Sequence, residues 1–202
     1  MSRALWLAAL ALGLASSPAA AQWRIGLDLG VDRIPVMARD AEDPDGPLRM
    51  RPTQTWPLVA SVHRGGERLR AGLSVQRVAP GLELDGLDLT VALRPAFQVL
   101  TITPELSGRL ARLAGNGALR GHLGVPIERW SFGSAVDPAR WRAGLSTGAA
   151  VELPLGERYT ARIATAIGVV FRNPLVATEM GDGYNPTRMW RRSLRIGVQK
   201  RL

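Results

Sequence analysis

The chain has 202 residues, no cysteine, 46% hydrophobic and 21% charged residues, and a net charge of +9 in which Lys200 is the only lysine. That balance excludes a disordered chain and a helical membrane protein, and the length suits one domain. Without cysteine there is neither a disulfide framework nor a lipid-modified N-terminus.

Arg3 precedes an apolar run from Ala4 to Ala15, followed by Ser16, Ser17, Pro18 and the small residues Ala19, Ala20 and Ala21, which is the layout of a cleaved export signal. The run falls short of the ~20 residues that a spanning helix needs. Residues 1–21 are therefore read as a signal peptide and residues 22–202 as one mature domain. Export also decides what the arginines meet. A nucleic-acid partner is not expected outside the cytoplasm, and the phosphates of lipid headgroups are the expected polyanion.

From there on the apolar residues recur at period two, the mark of half-buried strands. Trp23, Ile25, Leu27, Leu29 and Val31 share one face; Arg24, Gly26, Asp28, Gly30 and Asp32 share the other. Trp56, Leu58, Ala60 and Val62 repeat the pattern, then Leu69, Ala71, Leu73 and Val75 against Arg70, Gly72 and Ser74. Residues 80–113 are ambiguous: Leu87, Leu89, Val91 and Leu93 alternate in odd register, Leu100, Ile102, Leu106 and Leu110 in even register. They make either one long bulged strand with a loop extension or an additional hairpin. Further on, Leu119, Leu123, Val125 and Ile127 alternate with Arg120, His122, Gly124 and Glu128. Ala143, Leu145, Ala149, Val151 and Leu153 oppose Arg142, Gly144, Ser146, Gly148 and Glu152, and Tyr159, Ala161, Ile163, Ile167 and Val169 oppose Arg162 and Gly168. The last strand sets Leu194, Ile196 and Val198 against Arg191, Ser193, Arg195, Gly197 and Gln199.

Tight turns at Gly65-Gly66, Asn116-Gly117 and Leu155-Gly156 alternate with long polar connections, as in an up-and-down antiparallel barrel. Eight strands are expected, ten being the second choice. A soluble barrel turns its apolar face inward, and a membrane barrel turns it to lipid and fills the lumen with polar groups. Aromatic placement separates the two. Trp56, Trp130, Trp141, Phe171 and Trp190 fall at the long-loop ends of their strands, and Trp23 and Tyr159 at the short-turn ends, where membrane barrels carry aromatic girdles. The polar face, with Arg24, Asp28, Asp32, Arg70, Arg120, His122, Glu128, Arg142, Glu152, Arg162, Arg191 and Arg195, is then a luminal charge network.

With its signal peptide, alternating strands, girdles, turn asymmetry and terminal strand, the mature chain resembles the small bacterial outer-membrane β-barrel proteins, the class of the OmpA transmembrane domain and OmpX. The resemblance implies a closed transmembrane barrel in the outer membrane of a Gram-negative-type bacterium. It also implies recognition of the C-terminal strand, Ser193 to Leu202, by the barrel-assembly machinery. Members commonly end in an aromatic residue; this chain ends in Leu202.

Arg129, Arg140, Arg172, Arg188 and Arg192 lie at strand and loop margins, where they are expected to meet lipopolysaccharide phosphates through bidentate hydrogen bonds. No catalytic residue, metal site or cofactor is assigned. His63 and His122 are both on the luminal face with no nucleophile elbow nearby, and Asp40, Glu42, Asp43 and Asp45 lack the spacing of a calcium loop. The expected protein is a monomeric, non-enzymatic envelope barrel. A lipid A deacylase or acyltransferase and a soluble periplasmic barrel for an apolar ligand are the alternatives.

Overall fold

A computed structural model describes residues 22–43, 46, 48–85, 90–93, 97–132, 139–175 and 184–202. The strands in it are β1 (Gln22–Arg33), β2 (Ala38–Asp40), β3 (Arg49–Pro52), β4 (Leu58–Gly65), β5 (Leu69–Val78), β6 (Leu82–Asp85), β7 (Thr90–Leu93) and β8 (Phe97–Arg112). They continue with β9 (Ala118–Gly124), β10 (Ile127–Phe132), β11 (Arg140–Pro154), β12 (Tyr159–Val170), β13 (Tyr184–Pro186) and β14 (Met189–Arg201).

Proline explains why β9 and β10 count as one wall strand. Both pair with β8 on one side and β11 on the other, and the break between them falls at Pro126, which has no N–H to give to a ladder. Its carbonyl still accepts from the Gly144 amide at 2.9 Å, so the wall stays continuous. The wall therefore has eight strands, each antiparallel to its neighbours. It closes where β14 pairs with β1 from Arg24↔Arg201 to Arg33↔Arg192, and the Leu202 amide extends that seam by donating to the Trp23 carbonyl at 3.0 Å. Closure leaves no wall strand with an unpaired edge.

The ambiguous middle contains both features at once. β8 is a 16-residue wall strand with a register shift between Arg109 and Ala111, and β6–β7 is a separate hairpin outside the wall. Leu87 and Leu89 lie outside the described residues. The hairpin joins β2, β3 and β13 in a second sheet, ordered β13-β2-β3-β6-β7, that three of the long connections build together. Arg51 pins it by reaching Glu83 and Asp85 at 3.0 Å each across β3 and β6. Sequence periodicity does not announce strands of three or four residues, so these stretches read as polar loop.

Outward residues decide what surrounds the wall. Leu27, Leu29, Leu58, Leu69, Leu106, Leu123, Ile163, Leu194 and Ile196 are all exposed, Ile196 to 61%, and they form a band around the barrel rather than scattered points. An apolar band of that extent has no place on a soluble monomer. Trp56, Trp141, Phe171 and Trp190 bracket it at the long-loop end, Trp23 and Tyr159 at the short-turn end, every one exposed. The fold is a transmembrane β-barrel.

Candidate functional site

The lumen is filled in levels. Nearest the short turns, Arg70 Nη1 donates to both Glu152 oxygens at 2.8 and 2.9 Å, and Arg120 Nε stands 3.9 Å from Glu152 Oε1. Arg120 also donates to the carbonyls of Glu67, at 2.7 Å, and Ser107, at 3.1 Å, so its charge is held by backbone as much as by carboxylate. Arg24 sits at this level, on the rim of a cavity of about 440 Å³ that opens between the short turns. Outside the membrane-spanning segments, the turn residue Glu67 accepts from Arg109 Nη1 at 2.8 Å; that bond and the adjoining guanidinium charge hold its carboxyl below the usual glutamate value.

Above this level Arg162 reaches Asp28 at 2.7 Å. The pair spans three strands, because Asp28 on β1 and Arg162 on β12 both stand in register with Gly197 on β14. A Cβ at Gly197 would collide with Asp28 Oδ1 and with the Leu27 carbonyl, so only glycine lets the carboxylate lie across its backbone to meet the arginine. The histidines use the same device. His63 lies over Gly72 and His122 over Gly148, each opposite its glycine in the ladder. His63 Nε2 stands 3.4 Å from Glu105 Oε1, within ion-pair range but without hydrogen-bond geometry.

Next, Gln76 donates to Asp32 at 2.9 Å and accepts from Arg195 at 3.1 Å, while Arg191 stands 2.7 Å from Glu128 Oε1. Trp130 Nε1 donates to the second Glu128 oxygen at 2.8 Å. Trp130 is 0% exposed: it belongs to the lumen, and its assignment to the outer girdle is corrected. On a strand the side chains of residues 128 and 130 point the same way, so the parity that sent Glu128 inward also sends Trp130 inward.

Trp130 is where polar filling ends. With Ile34, Met37, Phe97, Val99, Val170 and Met189 it forms an apolar core that plugs the long-loop end, its ring 5.1 Å from that of Phe97. Val78, Leu82, Phe132 and Leu175 pack on its margins, so it anchors the second sheet as well. Asn173 ties the connections together by donating to the carbonyls of Met37, at 2.5 Å, and Thr187, at 2.9 Å.

Two arginines reach the connections at the long-loop end. Arg142 stands opposite Glu128 in the ladder with the luminal parity, and donates to the carbonyls of Asn173 at 3.0 Å and Trp141 at 2.9 Å. Arg140, expected toward lipopolysaccharide, turns to the same connection: it donates to the Pro174 carbonyl at 2.6 Å and lies 5.1 Å over the Phe132 ring. Both donate to carbonyls of the β12–β13 connection. Arg129, Arg172, Arg188 and Arg192 are exposed. The plug itself escaped sequence reasoning. Its detectable signal is on β8, where Phe97 and Val99 share odd parity with Thr101, Glu105 and Arg109: a luminal face that turns from charged to apolar toward the long connections.

Among the described residues no group of three or more His, Cys, Asp or Glu side chains could hold a metal ion. Asp45 lies outside them, and Asp40 accepts from the Glu42 amide at 2.8 Å as an ordinary turn residue does.

No protein-family model and no curated protein matches the chain. Solved structures do. The chain is similar to Neisserial surface protein A, with a TM-score of 0.59 at 9% identity over 90% of this chain and 99% of that one. It is similar to the outer membrane protein OprG from Pseudomonas aeruginosa, with a TM-score of 0.59 at 11% identity over 91% and 96%. A major outer membrane protein from Thermus thermophilus gives 0.58 at 12% identity over 91% and 100%. At such identities shared ancestry of function does not follow, but a shared wall does: the chain has the fold of the small outer-membrane β-barrels.

Proposed function

We propose that the protein is a monomeric, non-enzymatic barrel of the outer membrane of a Gram-negative-type bacterium, sealed to solutes, that presents its second sheet at the outer surface. Residues 1–21 are its removable export signal, and β14 is the element that the barrel-assembly machinery engages. The observation that carries the reading is the plug: Met37, Trp130 and Met189 are completely buried at the end of the lumen where the second sheet begins. A conducting barrel of eight strands would need that space, since so few strands enclose little more than their own side chains. Lipids cover the apolar band, and Arg129, Arg172, Arg188 and Arg192 meet lipopolysaccharide phosphates beside the Trp56, Trp141, Phe171 and Trp190 girdle.

Reconstitution in a planar bilayer, with lipid A added to the purified barrel in parallel, tests the proposal. Folded wild type should give no steady conductance and leave lipid A acylation unchanged. Stable single-channel steps, or release or transfer of an acyl chain, would overturn it.

A further inference from the structure

The short-turn mouth carries a charge excess that its ion pairs do not remove. Seven arginines and three glutamates line the cavity of about 440 Å³. Glu152 is held by Arg70 and Arg120, and Glu67 by Arg109. Arg24, Arg112, Arg158 and Arg201 then share one remaining carboxylate, that of Glu157. The side chains of these four make no hydrogen bond or ion pair among the described residues, and Arg24 Nε is buried as well.

The register makes the excess unfavourable. Arg24 stands directly opposite Arg201 across the closing seam, and Arg109 opposite Arg120 across β8 and β9. Like charges facing each other across a ladder are destabilising. The second pair is relieved by ion pairs to Glu67 and Glu152; the first makes no ion pair among the described residues. Arg24 and Arg201 face the cavity, while their outward neighbour Lys200 lies 5.9 Å over the Tyr159 ring. Guanidinium groups converging in a concave site are suited to bidentate contact with phosphate or carboxylate, and the volume lies within the usual ~300–1,000 Å³ of small-molecule sites.

We propose that the short-turn mouth binds a small anion carrying at least two phosphate or carboxylate groups, with Arg24, Arg112 and Arg201 as its principal contacts. A free phosphate ester and a phospholipid headgroup reaching over the rim offer the same chemistry.

Isothermal titration calorimetry of the full mature barrel, folded in uncharged detergent at low salt, with inorganic pyrophosphate as the probe, tests this. One pyrophosphate should bind per barrel. The double variant R24Q/R201Q should weaken binding at least tenfold, E157Q should strengthen it, and R77Q, at the other end, should leave it unchanged. E157Q alters an exposed turn residue, so it tests the site even if the double variant folds poorly by heat-modifiable gel migration. Absence of saturable binding, or a folded R24Q/R201Q or an E157Q that binds like wild type, would overturn the proposal. Repeating the titration in phosphatidylglycerol nanodiscs assigns the source: competition by the lipid identifies the headgroup as occupant, and undiminished binding identifies a soluble ester, either outcome supporting the site.

Discussion

At the short-turn end, Arg70, Arg120 and Glu152 border an open cavity of about 440 Å³; at the long-loop end, the space beside Trp130 is about 20 Å³ and methionines fill the rest. The same eight strands pass through both levels, so the wall does not cause the difference. The connections do. Tight turns such as Gly65 to Leu69 supply no side chain to the lumen core, whereas the long connections fold into a sheet and send Met37 and Leu82 down onto Phe97 and Trp130. Charged filling depends on direction and partner; apolar filling depends on volume. The two ends should therefore fail in different ways.

The largest effect is expected where a partner is removed from the charged part. Arg162→Ala leaves the Asp28 carboxylate, with a side chain 1% exposed, without its donor at 2.7 Å. Breaking a buried pair on one side costs about 3–5 kcal/mol, while replacing both members by apolar residues is often nearly neutral. Urea unfolding of the barrel in lipid vesicles should show that loss for Arg162→Ala and recovery of most of it in Asp28→Leu/Arg162→Leu. A single variant as stable as wild type would mean that the lumen solvates Asp28 without Arg162, and the contrast between the ends would collapse.

A smaller effect is expected at the junction of the two fillings. Trp130→Phe keeps most of the ring volume that packs on Phe97 but removes the N–H that Glu128 accepts. Glu128 keeps Arg191 at 2.7 Å, so the loss should be about 1–3 kcal/mol, the usual range for a buried acceptor short of one donor. The same unfolding experiment measures it, and hydrogen exchange should show the change on β10 and β14 before the second sheet. A loss confined to the second sheet would instead make Trp130 purely a packing residue.

How much of this the sequence discloses follows from period. Residues such as Leu27, Leu194 and Ile196 sit on strands of 12 and 13 residues, where alternation has many turns of the pattern in which to show, and the closing seam is readable for the same reason. β2 and β13 have three residues each and no period to detect. The luminal charges are legible by parity but their partners are not: nothing in the sequence places Asp28 beside Arg162, because that contact depends on the stagger of β1 and β12 across Gly197. Trp130 misleads for a different reason. An aromatic at a strand end fits a girdle and a plug equally, and only its parity with Glu128 separates them.

The smallest effect belongs to the rim of the open end. Glu67 accepts from Arg109, but its carboxylate is 73% exposed, so solvent screens the pair and Glu67→Gln should shift the unfolding midpoint only slightly at pH 7. The sign with pH is nonetheless fixed. The Glu67 carboxyl is held below its unfolded value, ordinarily about 4.3 for glutamate, so its contribution is present above that pH and disappears as pH falls through the folded value. Midpoints of wild type and Glu67→Gln, compared from pH 7 down to pH 3, should therefore converge on the acid side. Divergence toward acid would mean that Glu67 is protonated more readily in the barrel than in the unfolded chain, and that the arginine excess at this mouth is already offset by an anion other than its own glutamates.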